Sequence, residues 1–576
     1  MKRFILNLAL AATAVMAATA NAGTLPEKVL GAGTGAPVRT PYCQLVDRVL
    51  DADTCYVLTG LYYVEPGRKL TIQPGTVIKG HKATGGTLIV TKGAQLFAQG
   101  TIQKPIVFTS NEPIGSRAPG DWGGIIILGD APTNKVNPVI EGGLIGGTCG
   151  GGVTTYGGAN ASDNSGILSY IRIEFCGFRF ALNNEVNGLT MGGVGAGTQI
   201  DHIQVSYSFD DSYEWFGGTV NCNYLVAFGA TDDEFDTDFG YAGHVQFGFA
   251  LRDPDYWDPT GQSNGFESDN DGSSSSIDNP HTRPIFTNMT LIGARRTNAD
   301  PNFPIGSTIQ YAAVLRRSTQ TNIFNSVIMG YPWGISLRDA TTQGFAAANV
   351  LQIRNTSIQA ALIPAGSTHI HDETSWATID TWFATAGWSN IQNPTRLPDT
   401  IMLNNLSNLN DPDPRPKVGS ELIASADYTN ADLAWVTATN KVNYRGAFPS
   451  TTSSSKQTIW TAYWTNFDPQ NAVYCDSTET YTGVGDKPSY ASHLSQNYPN
   501  PFNPMTSIDY VVPSTGRVTL DVYDATGAKV VSLVNGVEGR GKHTVSFNAA
   551  GMASGVYFYR LKAAGVDEMK KMVLLK

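Results

Sequence analysis

The feature that most limits the folds open to this chain of 576 residues is self-similarity at a spacing of 22 in its middle. Phe209-Asp210-Asp211-Ser212-Tyr213-Glu214 returns as Thr231-Asp232-Asp233-Glu234-Phe235-Asp236, and Leu315-Arg316 returns as Leu337-Arg338. Upstream, apolar pieces such as Leu70-Thr71-Ile72, Val77-Ile78, Leu88-Ile89-Val90 and Ile106-Val107-Phe108 are cut by turns at Pro66-Gly67 and Pro74-Gly75. Strands this short do not make an ordinary sandwich with clean hairpins. A repeat built of strands and turns buries its apolar side only against the copies above and below it. The expected fold class is therefore all-β: a right-handed parallel β-helix over residues 56–350, with 23–55 as an N-terminal cap over its open edges.

Composition agrees. Charged residues are 15% of the chain against roughly 25% in an average soluble domain, and 61 Gly and 30 Pro supply the turns. At 41% hydrophobic the chain is too apolar for disorder. A net charge of -10 argues against nucleic-acid partners, and no long uncharged run beyond the first residues predicts a transmembrane segment in the mature chain.

The two ends read as addresses. Lys2-Arg3, an apolar run from Phe4 to Ala18 and Ala20-Asn21-Ala22 have the order of an export signal over 1–22. Export places the six cysteines where they can pair, and the short loop makes Cys43–Cys55 the expected bridge. From 494 to 576 the pattern is a small antiparallel Ig-like sandwich. Its opening Asn497, Pro499, Asn500, Pro501, Phe502, Asn503 and Pro504, the strand-turn-strand VYDATGAKV, the strand SGVYFYRL and the terminal Lys570, Lys571 and Lys576 resemble the type A C-terminal sorting domain of the type IX secretion system. The resemblance implies the type IX machinery as a partner, and an extracellular or outer cell-surface location. The stretches LTIQPGTVIKG, GTLIVTKGAQLFAQGTIQKPIVFTS and DWGGIIILG are similar to β-helix passengers of secreted surface proteins.

Residues 351–480 are expected to cover the solenoid. Ile379, Trp382, Phe383 and Ala386 have helical spacing within Thr374–Ala386, 411–416 reads as a stiff connector, and 417–480 is irregular and aromatic, with a carbohydrate-stacking module as the other reading.

Chemistry concentrates in residues 201–271, which hold 15 Asp and Glu against one basic residue, Arg252. Coils in register put Asp210 over Asp232, Asp211 over Asp233 and Glu214 over Asp236, about 4.8 Å apart. At that separation each pair of charges repels by about 3 kcal/mol at an effective dielectric of 20. Calcium is the expected cofactor, because its hard-oxygen preference suits carboxylates. A second oxygen-rich run, Glu267, Asp269, Asp271, Gly272 and Asp278, has the spacing of a calcium loop, with Glu and Asp at its ends where the EF-hand has Asp and Glu. Arg316 and Arg338 form a cationic rung that offers a ligand site. No HExxH or phosphate-loop pattern is present; His202, His244 and the pair His369 and His371 read as ordinary side chains. The expected function is a secreted adhesive or polysaccharide-binding protein whose partner is an extracellular glycan or surface polymer. A polysaccharide lyase or glycoside hydrolase is the competing class, and a surface-layer or matrix component is the third.

Overall fold

A computed structural model describes residues 25–144, 149, 154–181, 184–296, 307–360, 376–392, 403–406, 408–452, 454–475, 494, 496–497, 499–512, 516–538, 541–563 and 566–575. The signal 1–22, Thr374, the pair His369 and His371, and Lys576 lie outside them.

Residues 27–392 form a parallel β-helix whose coils run over three faces. Face A carries strands such as Lys69–Ile72 and Gln95–Gln99, face B strands such as Val77–Gly80 and Ile106–Ser110, and face C strands such as Thr87–Val90 and Gly124–Leu128. Every pairing among them is parallel and in register. Among the described residues face C has 10 strands in unbroken order. Inside, side chains stack as columns: Leu168, Ile200, Cys222, Val245, Phe286, Ile323 and Ile353 lie one above another on face A. Each large apolar member of such a column is buried at a gain of about 1.5–3 kcal/mol.

The corner between faces A and B shows how the sequence bends a strand. Tyr170, His202, Tyr224 and Phe247 take φ of 51°, 51°, 58° and 62°, and ladder pairing skips them, so one strand such as Gln199–Ser206 serves both faces. A left-handed conformation at bulky residues costs about 1–3 kcal/mol. Ring stacking offsets it: successive centroids are 4.3, 4.4 and 5.0 Å apart. Later coils turn the same corner with Asn288, Asn325 and Asn355, a residue type that tolerates this region, and Asn355 Nδ2 donates to Asn325 Oδ1 at 2.6 Å. His202 is thus a corner residue, as its reading as an ordinary side chain implies.

The solenoid is longer than its repeats announce. Glu27–Gly31, Pro41–Gln44 and Arg48–Leu50 pair with the following coil, so the residues expected as a cap form the first coil. Beyond 350, Gln352–Arg354, Ser357–Ala360 and Ile391–Gln392 continue the stack. The far end of the core is closed by the helix Ile379–Phe383, which buries Ile379, Trp382 and Phe383 as their spacing predicts, while Ala386 falls beyond it. A second helix, Ala340–Ala347, lies before it and receives the Trp382 indole N–H at Ala346 O, 3.0 Å away.

Residues 403–475 are a strap laid back along the helix. The expected connector is folded into it: Asp413–Pro416 pairs with Leu403–Asn405 and is buried, with Arg415 and Asp413 in contact at 2.7 Å. The strap then passes coil after coil in reverse order. Asn355 donates to Ser425 O at 2.6 Å, Asn288 to Tyr444 O at 3.2 Å, Gln204 to Asn466 O at 2.7 Å, and Tyr474 to Glu174 at 2.8 Å. Leu403, Leu422, Phe448 and Trp464 pack on outward Val226, Phe249 and Met329, so the aromatic residues of this segment are lateral core. It ends in a disulfide from Cys475 to Cys55, and Leu25 N donates to Cys475 O at 2.8 Å. The other bridge is Cys43–Cys149. Cys43–Cys55 does not form, because Cys43 stands on face C and Cys55 on face B of the next coil. Cys176 and Cys222 are buried thiols whose pKa values burial pushes up to about 12.

The C-terminal sandwich is antiparallel, with Met505–Val512 on Gly541–Asn548 and a second sheet of Gly516–Tyr523, Lys529–Glu538, Gly555–Ala563 and Val566–Leu574. Its opening motif is tied to the rest. Asn497 Nδ2 donates to Pro499 O and Thr506 Oγ1, both at 3.0 Å, Asn500 Oδ1 accepts from Val573 N at 2.9 Å, and Phe502 is buried.

Candidate metal centre

Face C places the acidic residues. In the strands Leu189–Gly192, Tyr213–Phe216, Phe235–Asp238, Phe266–Ser268 and Tyr311–Leu315, alternate residues point inward; Tyr213 stacks on Phe235 at 5.6 Å and Phe235 contacts Phe266 at the same distance. The outward column between them reads Thr190, Glu214, Asp236, Glu267, Val314. Glu214 therefore lies over Asp236 as the 22-residue echo requires, and Glu267 adds a third acidic rung.

The turn before each strand carries a second column, Asn187, Asp211, Asp233, Asn264. Asp211 Oδ1 accepts from Asp233 N at 2.8 Å, Asp233 Oδ1 accepts from Asn264 N, and Asn264 Oδ1 accepts from Tyr311 N at 3.2 Å. Asp211, Asp233 and Asn264 each cap the backbone of the next coil, and Asn187 does not. Asp211 and Asp233 thus have a structural task for one oxygen and a second oxygen left over.

Carboxylate oxygens from these columns and from Asp210 and Asp232 converge in three sets: Asp210, Asp211 and Asp232; Asp211, Glu214 and Asp236; Asp233, Asp236 and Glu267, with the oxygens within each set no more than 4.8 Å apart. That is twice a calcium–oxygen distance of about 2.4 Å. All seven residues are among those singled out from sequence. Asp211, Glu214 and Asp233 are buried; the others are half-buried. Burial first, and then the neighbouring carboxylates, drive Asp210, Asp211, Glu214, Asp232, Asp233 and Asp236 well above the ordinary carboxylate range. Burial likewise moves Glu141 up to about 7, and it hydrogen-bonds Glu214 and Asn187.

Cations stand around this group and reach it only at Glu267 among the described residues. Arg316 contacts Glu267 and, at 2.9 Å, Asp269; Arg317 also contacts Asp269. Arg179 reaches Glu185 at 2.8 Å and Asp258 at 3.1 Å. Arg252 points inward to Glu234 at 2.9 Å, both fully buried. Among the described residues no Lys or Arg makes an ion pair with Asp210, Asp211, Glu214, Asp232, Asp233 or Asp236. Arg316, expected to offer a ligand site, is instead a counter-ion of the ladder, and Arg338 donates to Gln262 at 2.9 Å and lies over the Tyr311 ring.

The calcium-loop reading of 267–278 meets a different geometry. Asp269 is held by the two arginines. Asp271 takes Lys135 at 2.6 Å and the Ser273 and Ser274 hydroxyls; against the upward push of burial, these donors hold it at about 2. Asp278 is exposed, and its backbone is what bonds: its carbonyl accepts from Asn270 Nδ2 and its N–H donates to Ser276 Oγ, both at 3.1 Å. The three acids do not converge. Conversely, Glu141, Glu185, Asn187, Asp238 and Asp258 crowd the ladder without a repeat to announce them. Only Asn187 had a signal, its place one register step before Asp211.

Oxygen-only donors, high negative charge and partial burial suit a hard divalent cation and exclude a softer ion that wants nitrogen or sulfur. In a fourth set, Cys43, Glu65 and Cys149, the cysteines are joined to each other and leave no thiolate.

Residues 43–394 match the family model described as a pectate-lyase-like beta helix domain, and residues 496–575 match the one described as a secretion system C-terminal sorting domain. No curated protein matches the sequence. The sorting domain assigns the chain to type IX secretion and to the outside of the cell. Among the described residues no helix is long and apolar enough to cross a membrane.

Proposed function

The chain belongs to the pectate-lyase-like β-helix family, and from that and its acidic ladder we propose that it is a calcium-assisted surface protein that adheres to, or binds, extracellular polysaccharide. The observation that carries the calcium part is the stack of carboxylates on three successive coils, of which, among the described residues, only Glu267 has an ion-pair partner, Arg316. The polysaccharide part rests on face A, where the strap leaves the middle coils open. There Gln99, Gln199 and Asn221 are exposed, and Gln95, Phe97, Ser169, Asp201 and Asn223 half-exposed, on a rigid platform of in-register rungs. Amides and an aromatic ring are the groups that hydrogen-bond and stack on sugars.

A glycan array probed with the secreted chain is expected to show retention that falls when Gln199, Asn221 and Asn223 are changed together to Ala. Retention on no glycan, with or without calcium, would overturn the binding reading. A lyase or hydrolase is less well supported, because the acids are largely buried and Arg316 is tied to Glu267 and Asp269. No release of reducing or unsaturated sugar is expected from acidic or neutral polysaccharides.

The calcium part has a pH signature. Carboxyls whose folded-state pKa is raised bind protons more tightly in the native chain, so their favourable contribution is complete below the unfolded values of 3.8 for Asp and 4.5 for Glu and is lost as pH rises through the raised folded values, which for Glu141 is about 7. The chelated protein is therefore expected to melt higher at pH 5 than at pH 7.5. Calcium requires the deprotonated ladder, so in millimolar calcium the order should reverse. Parallel melting profiles under both conditions would contradict the reading.

A further inference from the structure

The three oxygen sets are not independent. Asp211 belongs to the first and the second, and Asp236 to the second and the third, so the sets form a chain linked by shared carboxylates. The first two sets lie side by side across the same pair of coils, and the third lies one strand spacing, roughly 4.8 Å, further along the axis. Charge points the same way. Of the seven carboxylates, Glu267 is paired with Arg316, and the remaining six carry the charge of three divalent cations.

A separate observation indicates that the row has occupants. Asn187 is 1% exposed, its amide N–H reaches Glu214 and, at 3.4 Å, Glu141, and its Oδ1 has no hydrogen-bond partner. Asp232 Oδ1 and Asp236 Oδ1 are likewise buried with no donor. An unpartnered buried acceptor costs about 1–3 kcal/mol, and these three, one on a residue that touches Glu214 and two on members of the sets, call for a positive ligand.

We infer that face C holds a row of three calcium ions bridged by Asp211 and Asp236, and that the ions bind cooperatively because each bridging carboxylate is oriented by the ion already on its other side. The inference rests on the calcium reading and adds its number, order and coupling. The row spans three coils, so filling it couples their stacking. Asp211 already caps the backbone of Asp233, so binding at one end also steadies the turn that presents the next set.

Native mass spectrometry of the full secreted chain in calcium acetate tests this. The parent is expected to carry three calcium ions with little population of one or two. Asp210→Ala, which removes a ligand of the first set only, is expected to carry two. Asp211→Asn keeps a side-chain oxygen for the Asp233 cap while losing the bridging charge, and it is expected to carry one. A parent with a single ion would overturn the row and leave the calcium reading standing, whereas a parent with none would remove both. Equal stoichiometry in all three proteins would also overturn the row. Should Asp211→Asn fail to fold by circular dichroism, the parent and Asp210→Ala counts still decide.

Discussion

Transferring the secreted chain from millimolar calcium to excess chelator at pH 7.5 is expected to lower its melting temperature by about 5–15 °C. Each ion held at about 100 times its dissociation constant contributes about 2.7 kcal/mol, so even partial loss of the ladder's cations is large beside an ordinary domain stability of about 5–15 kcal/mol. The loss has a definite origin. Without cations Glu214, Asp236 and Glu267 remain one strand spacing apart, and only Glu267 has an arginine. Asp211→Ala is expected to reduce the calcium-dependent part of the melt and also to destabilise the chelated protein by about 1–3 kcal/mol, because it leaves Asp233 N without its acceptor. Asp278→Ala, in an exposed loop outside every set, should change neither. Equal effects from both substitutions would mean that the acidic face is merely solvated.

The second large effect is expected at the strap. Cys475 is joined to Cys55 across a sequence separation of 420, against 106 for Cys43 and Cys149. In the chain-entropy account the longer closure stabilises more, and removing a native bridge typically costs about 2–5 kcal/mol. Cys55→Ser with Cys475→Ser is therefore expected to destabilise more than Cys43→Ser with Cys149→Ser. The damage should be local in character. The strap's hold on the first coils is the disulfide, the Leu25 bond, and the contacts of Arg117 with Pro469 and Ala472 at 2.7 and 3.0 Å. Limited proteolysis should then cut within 454–475 while the coils of 27–392 resist. A strap no more sensitive in the double variant than in the parent would show that Phe448, Trp464 and their apolar partners hold it unaided.

The sequence made some of this legible because repetition converts directly into register. The echo of Glu214 at Asp236 and that of Leu315 at Leu337 are both found as ladder pairs, and the Ile379, Trp382 and Phe383 spacing marks the helix that closes the core. The sequence reads Glu267 as part of a loop because the step from Asp236 to Glu267 is longer than 22: the excursion 253–263 intervenes and hides the third rung. Glu141 and Glu185 come from the chain between two face C strands, where no period exists to be read. The first coil was hidden by its irregular turns, and the strap by having no period at all, since its residues follow the outside of other residues' coils. Cys475 meets Cys55 only because that strap returns, a fact no local spacing encodes. Arg316 shows the opposite limit: its echo at Arg338 is real as register, yet one pairs with carboxylates and the other with an amide and a ring.

Anomalous diffraction from crystals of the secreted chain grown in calcium, with terbium exchanged in, tests the central claim most directly. The account predicts peaks between Asp211, Glu214 and Asp236 and in the flanking sets, with carboxylate oxygens at calcium-like distances of about 2.3–2.6 Å. A ladder free of anomalous density, with Asp210, Asp211, Glu214, Asp232, Asp233 and Asp236 hydrogen-bonded to one another as neutral acids, would contradict it.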